Sequence, residues 1–345
     1  MISQSQKLNT KLFDSDVELV PIRKGFGEGL LEAGEKNPNV VGLCADLTES
    51  TQMHFFANKF PERFVQVGVA EQNLVTVASG MAAMGKIPFT SSYAMFSPGR
   101  NWEQIRTTAC YNDRPVKIVG SHAGVSVGPD GGTHQATEDI ALMRVLPNMV
   151  VIAPCDSIEA KKATLALVDN GKPSYLRLAR DKTPVITTEE SPFEIGKANV
   201  LWSSGSVAVG PLLCSGPTAT SPRVAIIACG SLVHNALVAA RKLQEEGIGS
   251  IVVNNHTIKP LDGATILDVA KQTGVVVTVE EHQIAGGMGS TVAEFLAQNY
   301  PVPIEFVGIE DRYGQSGLPT QLLEHYHMDT PSIILAVKKV LSRKQ

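Results

Sequence analysis

Cysteine is sparse. Five are scattered through 345 residues (Cys44, Cys110, Cys155, Cys214 and Cys229), and none forms a CxxC pair. That spacing excludes a disulfide framework and a zinc knuckle and reads as reduced thiols, so a cytoplasmic setting is expected. Long apolar runs are also missing. No stretch reaches the ~18 residues that a membrane-crossing helix needs, and the opening MISQSQKLNTKLFDSD lacks the apolar centre of a secretory signal. Positive charge is not in excess: 30 Lys and Arg against 34 Asp and Glu give a net charge of -4. A general binder of nucleic acid or anionic membrane would be more basic, so neither partner is expected. A small anionic substrate needs only a few local cations and stays open. Hydrophobic residues make up 43%, enough for a packed core, and the length suits two domains.

Short apolar runs alternate with helical patterns. Asn39–Cys44, Phe64–Val67, Ile87–Ser91, Val116–Gly120, Met149–Ala153 and Ser174–Leu178 read as strands buried on both faces. Between them Ile22–Gly34, Glu71–Met84, Trp102–Asn112, Thr137–Val145 and Ser157–Asp169 read as helices, the last with Asp156 as N-cap. A Ser-, Thr-, Gly- and Pro-rich stretch follows, with an apolar run, Val207–Cys214, that fits a hairpin. Alternation resumes at Arg223, with a strand expected over Val275–Val279. The fold class is therefore α/β, with two parallel-sheet-based domains at 17–185 and 223–345 and a linker at 186–222.

Several residues invite a chemical reading. Glu71 opens an apolar helix after a strand, in VGVAEQNL. It is either a helix-start acid favoured electrostatically or a strand-end carboxylate facing a ligand crevice. The loop SHAGVSVGPDGGTHQ holds His122, Asp130 and His134 among four glycines, directly after a strand. Such a loop can approach a ligand closely and move protons. Arg23, Arg177 and Arg180 lie near element ends, and Tyr93 and Phe96 follow a strand; surface charge and core packing are the plainer readings of these. No GxGxxG opens a helix. GMAAMGKI has Ile87 where a phosphate loop needs Ser or Thr, and IAGGMGSTVAE is separated from its strand by EEHQIA. GVSVG around Ser126 matches a hydrolase elbow by chance, because GPDGG follows instead of a helix. No metal-ligand spacing is present.

Taken in order, VGVAEQNL, TSSYAMF, SHAGVSVGPDGGTHQ, LPNMVVIAPCDS, LRLARDK and EEHQIAGGMGS resemble the transketolases. The resemblance covers the chain from about Ile22 and corresponds to the family's pyrimidine-binding domain followed by its C-terminal domain. It implies thiamine diphosphate as cofactor, with Glu71 sharing a proton with N1′ of the aminopyrimidine. Phe96 matches the stacking aromatic, Tyr93 stands where phenylalanine is frequent, and Asp46 matches an aspartate near the cofactor. On the substrate side Arg23, Ser50, His122 and Arg180 look like the residues that bind a sugar phosphate. Asp130 and His134 match positions that contact its hydroxyls. The activity implied is transfer of a two-carbon ketol unit from a ketose to an aldose phosphate.

Two departures accompany the resemblance. The family's Gly-Asp-Gly segment with its downstream asparagine, which binds Mg²⁺ (or Ca²⁺) and diphosphate, has no counterpart here: Asp-Gly occurs only in PDGG and LDGA. The resemblance thus implies a separate N-terminal subunit as partner. A homodimer is expected for the chain alone and an α2β2 assembly in the complex. The second departure is the segment Ser203–Pro222, which looks longer than the family's connection and is either a surface hairpin or a partner contact. Other readings are a 1-deoxyxylulose-5-phosphate synthase-like enzyme, a 2-oxoacid dehydrogenase beta subunit and a non-catalytic scaffold. The first usually carries arginine where His122 stands, and the second needs no sugar-phosphate cradle.

Overall fold

A computed structural model describes residues 1–204 and 223–344. The hairpin expected around Val207–Cys214, with most of the Ser203–Pro222 segment, lies outside the described residues. The N-terminal half runs β1 (Leu19–Pro21), α1 (Ile22–Lys36), β2 (Val40–Cys44), α2 (His54–Lys59), β3 (Phe64–Gln66), α3 (Glu71–Ala83) and β4 (Ile87–Tyr93). Next come α4 (Trp102–Gln104), which continues as a π-helical turn over Ile105–Tyr111, then β5 (Lys117–Ser121), α5 (Asp139–Arg144) and β6 (Val150–Ile152). This half closes with α6 (Ser157–Asp169), β7 (Ser174–Arg177) and β8 (Lys182–Pro184). The C-terminal half begins with β9 (Asn199–Ser203), β10 (Arg223–Ala228), α7 (Val233–Glu245), β11 (Gly249–Asn254), β12 (Thr257–Lys259) and α8 (Gly263–Thr273). It ends with β13 (Val276–Gln283), α9 (Met288–Asn299), β14 (Ile304–Ile309), α10 (Pro319–His325) and α11 (Thr330–Ser342).

Two α/β sheets result, beside a two-stranded antiparallel pair of β1 with β8. The first has the order β12-β6-β7-β5-β4-β2-β3 and the second β14-β13-β10-β11-β9. Every pairing within them is parallel except at one edge of each, where β12 lies antiparallel to β6 and β9 antiparallel to β11. Parallel strands need both faces covered, and β2 (VVGLC) is buried along its whole length. The α6 start follows from its cap: Asp156 accepts the Glu159 N–H at 2.8 Å. A β-carbon on Gly25 would overlap the Ser157 carbonyl, so glycine lets α1 lie against α6.

Both antiparallel edge strands come from across a boundary in the sequence. β12 belongs to the C-terminal half yet extends the first sheet. β9 lies inside the stretch read as linker and extends the second. Asp156 also accepts the backbone N–H groups of Ile186 and Thr187, at 2.8 and 2.6 Å, so the start of that stretch is fastened to the first domain. One apolar cluster runs through both sheets, joining Leu43 and Val151 to Ile227, Val253, Ile258 and Met288.

A buried polar knot ties the halves together. Arg177, at the end of β7, donates from Nε to Asp139 Oδ2 at 2.8 Å and from Nη2 to the Glu281 carbonyl of β13 at 2.8 Å. The Tyr175 hydroxyl donates to the same Asp139 oxygen at 2.7 Å. Burial would raise Asp139, but Arg177, His282 and the Tyr175 hydroxyl together outweigh it and hold the carboxyl below the usual carboxylate range. Arg177→Met would strand Asp139 as an unpaired buried charge and should cost about 3–5 kcal/mol in urea unfolding. Because the folded Asp139 pKa is depressed, its contribution is present above the unfolded value near ~3.9 and fades as pH falls through the folded one. Removing the exposed Lys24–Glu28 pair should change stability by less than ~0.5 kcal/mol.

Candidate functional site

Ligands of open parallel sheets lie at the carboxyl ends of the strands, and the residues singled out by sequence gather there. Tyr93 ends β4, His122 follows β5, Glu71 opens α3 just after β3, and Asp46 follows β2. Arg23 stands in the first turn of α1.

His122 is the centre of the cationic side. It is 1% exposed and its backbone is left-handed, with φ +58. Arg23 Nη1 lies 2.8 Å from its Nε2. A guanidinium only donates, so Nε2 accepts, which assigns the ring proton to Nδ1, 2.9 Å from Ser121 Oγ. Burial pushes the imidazole down to about 2, aided by the charges of Arg23 and Arg180 and by His134. The Tyr93 ring stacks on it at 3.8 Å. Arg23 Nη1 also donates to the Ser50 carbonyl at 3.0 Å, while its Nε is buried with no partner. Burial and the nearby Arg180 both lower the Arg23 pKa. Arg180 in turn donates to the Val127 carbonyl at 2.9 Å. Two guanidiniums held close, one with an unused N–H, make a cradle for an oxyanion.

The second side is aromatic and acidic. Glu71 is 5% exposed and meets Arg100 Nη1 at 3.1 Å. Arg100 is half exposed and lies over the Phe96 ring at 4.2 Å. Asn101 Nδ2 holds the Glu71 carbonyl at 2.8 Å. His134 is edge-on to Phe96 at 5.4 Å and to Tyr93 at 6.3 Å, with Nδ1 2.9 Å from Thr133 Oγ1. His134 thus bridges the aromatic wall and the cationic side.

Of the residues expected from sequence, the structure brings together Arg23, Tyr93, Phe96, His122, His134 and Arg180. Ser50 joins through its carbonyl. Glu71 joins through Arg100. Asp130 and Asp46 are exposed, and neither side chain bonds to the cluster. Asp46 has φ +62, and its N–H donates to Gln66 Oε1 at 2.7 Å. Sequence reasoning missed Arg100, which a cation four residues after Phe96 on an aromatic-flanked turn could have signalled. It also ended β13 at Val279. The strand runs to Gln283 because Glu280, Glu281 and His282 are all buried with partners: Glu280 accepts the Met288 and Gly289 N–H groups at 2.6 and 2.7 Å. Glu281 Oε1 accepts the Ser126 N–H at 2.6 Å. Ser126 therefore sits in a short 3-10 turn under a carboxylate, and no helix starts from it.

The His122 assignment is testable by nitrogen NMR of the ring. Its two resonances should stay those of a neutral Nδ1–H imidazole from pH 8 to pH 5, and Arg23→Met should move its titration upward. The unfolded chain takes this proton near ~6.5, so the residue's stability contribution erodes as pH falls below that value.

Comparison with known proteins identifies the family. The transketolase pyrimidine-binding domain profile matches residues 19–185, and the transketolase C-terminal domain profile matches 218–333. A putative transketolase C-terminal section of Methanocaldococcus jannaschii is 44% identical over 94% of this chain and 97% of its own length. The 6-deoxy-6-sulfo-D-fructose transketolase subunit of Clostridium sp. strain MSTE9 is 37% identical over 96% and 98%. A solved split-gene transketolase, described as an inactive β4 tetramer, superposes with a TM-score of 0.84 at 40% identity, covering 94% of this chain and all of that one.

Proposed function

The chain belongs to the transketolase family, in the split, C-terminal-section branch, and we propose that it supplies the pyrimidine and substrate side of a two-chain transketolase. In this reading a separate N-terminal subunit completes the site, and the pair moves a two-carbon ketol unit from a ketose to an aldose. The observation that carries the substrate class is the Arg23–Arg180 pair with its unpartnered Arg23 Nε. A neutral His122 beside it adds no third charge and fixes the plane of the Arg23 guanidinium. The substrate is thus a sugar ending in a tetrahedral oxyanion. A phosphate is the default, and a sulfonate, as the name of the Clostridium subunit indicates for that protein, suits the same guanidiniums.

The residues also fit the aminopyrimidine end of thiamine diphosphate: a buried carboxylate at a helix start, joined through the half-exposed Arg100 to an aromatic ring. When bound, that cofactor supplies the carbanion chemistry that breaks and makes the carbon–carbon bond. Glu71 would hold the ring nitrogen, and Phe96 with Tyr93 would form the apolar wall. His134, between that wall and the cationic side, would exchange a proton with a substrate hydroxyl. Among the described residues no three His, Cys, Asp or Glu side chains converge as metal ligands. The diphosphate and its Mg²⁺ or Ca²⁺ are assigned to the partner, and the assembly to an α2β2 form.

Coexpression with the N-terminal subunit, followed by assay of transfer from xylulose 5-phosphate to ribose 5-phosphate, tests the reading. Glu71→Ala should lower kcat about 10³-fold with assembly intact. Arg23→Met should raise KM for the sugar by about 10- to 100-fold. Turnover of pyruvate but of no anionic ketose would favour the deoxyxylulose-synthase alternative, and unchanged turnover in Glu71→Ala would discard the role given to it. In calorimetry with Mg²⁺ the lone chain should bind thiamine diphosphate weakly or not at all; tight binding would contradict a site divided between chains.

A further inference from the structure

The glycine-rich loop that carries Asp130 and His134 is shaped from the other domain. Gln135 is 3% exposed. Its Nε2 donates to the carbonyls of Val125 at 3.0 Å and Gly128 at 3.4 Å, within its own loop, and to that of Gln315 at 3.0 Å, between β14 and α10. Its Oε1 is buried without a hydrogen-bond partner and lies against Gly314, where a β-carbon would overlap it. The two loops approach closely along their length. A β-carbon on Gly131 would stand 2.6 Å from Ser316 Oγ, and one on Gly132 2.6 Å from the Gly314 carbonyl oxygen. The second loop is itself anchored. Gln283 Nε2 donates to the Arg312 carbonyl at 2.8 Å, and the Tyr326 hydroxyl to that of Tyr313 at 2.9 Å.

His134 is chained to this contact on both sides. Its N–H donates to the Gly131 carbonyl at 3.0 Å, and Gln135 is its neighbour in sequence. A carboxylate cannot replace the amide here, because three carbonyls point at Nε2 and a carboxylate offers no donor. We propose that the Gly314–Gly317 loop of the C-terminal domain positions His134 for the sugar, with Gln135 as the positioning residue that couples them. This rests on the substrate role given to His134 above, and it assigns a part in the reaction to a domain that brings no residue into the cluster.

Hydrogen exchange on the lone chain reads the coupling without activity. Gly314→Ala and the isosteric Gln135→Glu should each speed exchange of the 128–135 amides about 10-fold, while β2 and β4 stay protected. In the two-chain enzyme, assayed well below each variant's thermal midpoint, each should lower kcat/KM for the sugar phosphate about 10²-fold, with subunit assembly unchanged. Gln135→Ala makes room for the new methyl, so Gly314→Ala combined with Gln135→Ala should be no worse than Gln135→Ala alone. Unchanged loop exchange, unchanged kcat/KM, strictly additive losses, or exchange that speeds equally in β2 and β4 would each overturn the proposal. If the wild-type enzyme transfers no ketol unit, the functional reading fails, and the exchange arm still decides the coupling.

Discussion

The docking of the Glu-Glu-His end of β13 onto the loops and strand ends of the first domain governs this molecule. Buried carboxylates are tolerated only when each is satisfied. Burial raises Glu280 and Glu281 above the ordinary carboxylate range. Glu280 is spent on the start of α9, Glu281 on the Ser126 N–H and the Ser231 hydroxyl, and Asp139 on Arg177 and Tyr175. Sliding one domain over the other would break the Ser126 N–H bond to Glu281, the Arg177 bond to the Glu281 carbonyl and the Ala141 N–H bond to His282 together. The relative placement of the sheets is therefore stiff, and the loops after β5 inherit that stiffness.

The candidate site uses the rigidity in two opposite ways. On the cationic side it holds Arg23 near Arg180 although their charges repel, and keeps His122 neutral between buried surfaces. In the proposed function, that unfavourable proximity is what an incoming oxyanion would relieve. On the aromatic side Glu71 is buried while its partner Arg100 is half exposed. A partner that stays in contact with solvent leaves the carboxylate and the Phe96 face accessible to another group. The two sides meet at His134, whose loop is packed against the C-terminal domain.

How much of this was legible in sequence depended on whether the signal was local. The start of α6 was readable because Asp156 caps it through a bond three residues away, and β10 because the five residues after Arg223 are continuously apolar. α2, with its short HFFANK sequence, was not read, since six residues held by Phe56 against neighbouring helices leave little periodicity. β12 was missed for another reason: a three-residue strand exists only where a foreign sheet edge offers partners. The Glu280–His282 run looked like a strand end because charged residues usually mark exposure, and its burial depends on donors far away in the chain. Among the site residues Glu71, Phe96, His122 and His134 were found through motifs. Arg100 and Gln135 were passed over because Glu71 and the Gln315 carbonyl, which give them their place, became their neighbours only on folding.

The sequence by itself determined the α/β alternation, the family, and the kinds of groups at the site, because each is written in patterns a few residues long or in motifs kept in order. It also contains no Gly-Asp-Gly triplet. Only the tertiary structure decided which nitrogen of His122 holds its proton, that Arg23 keeps an N–H in reserve, and that the second domain presses on the loop bearing His134. Those properties belong to distances and burial between residues remote in sequence, and no local pattern encodes them.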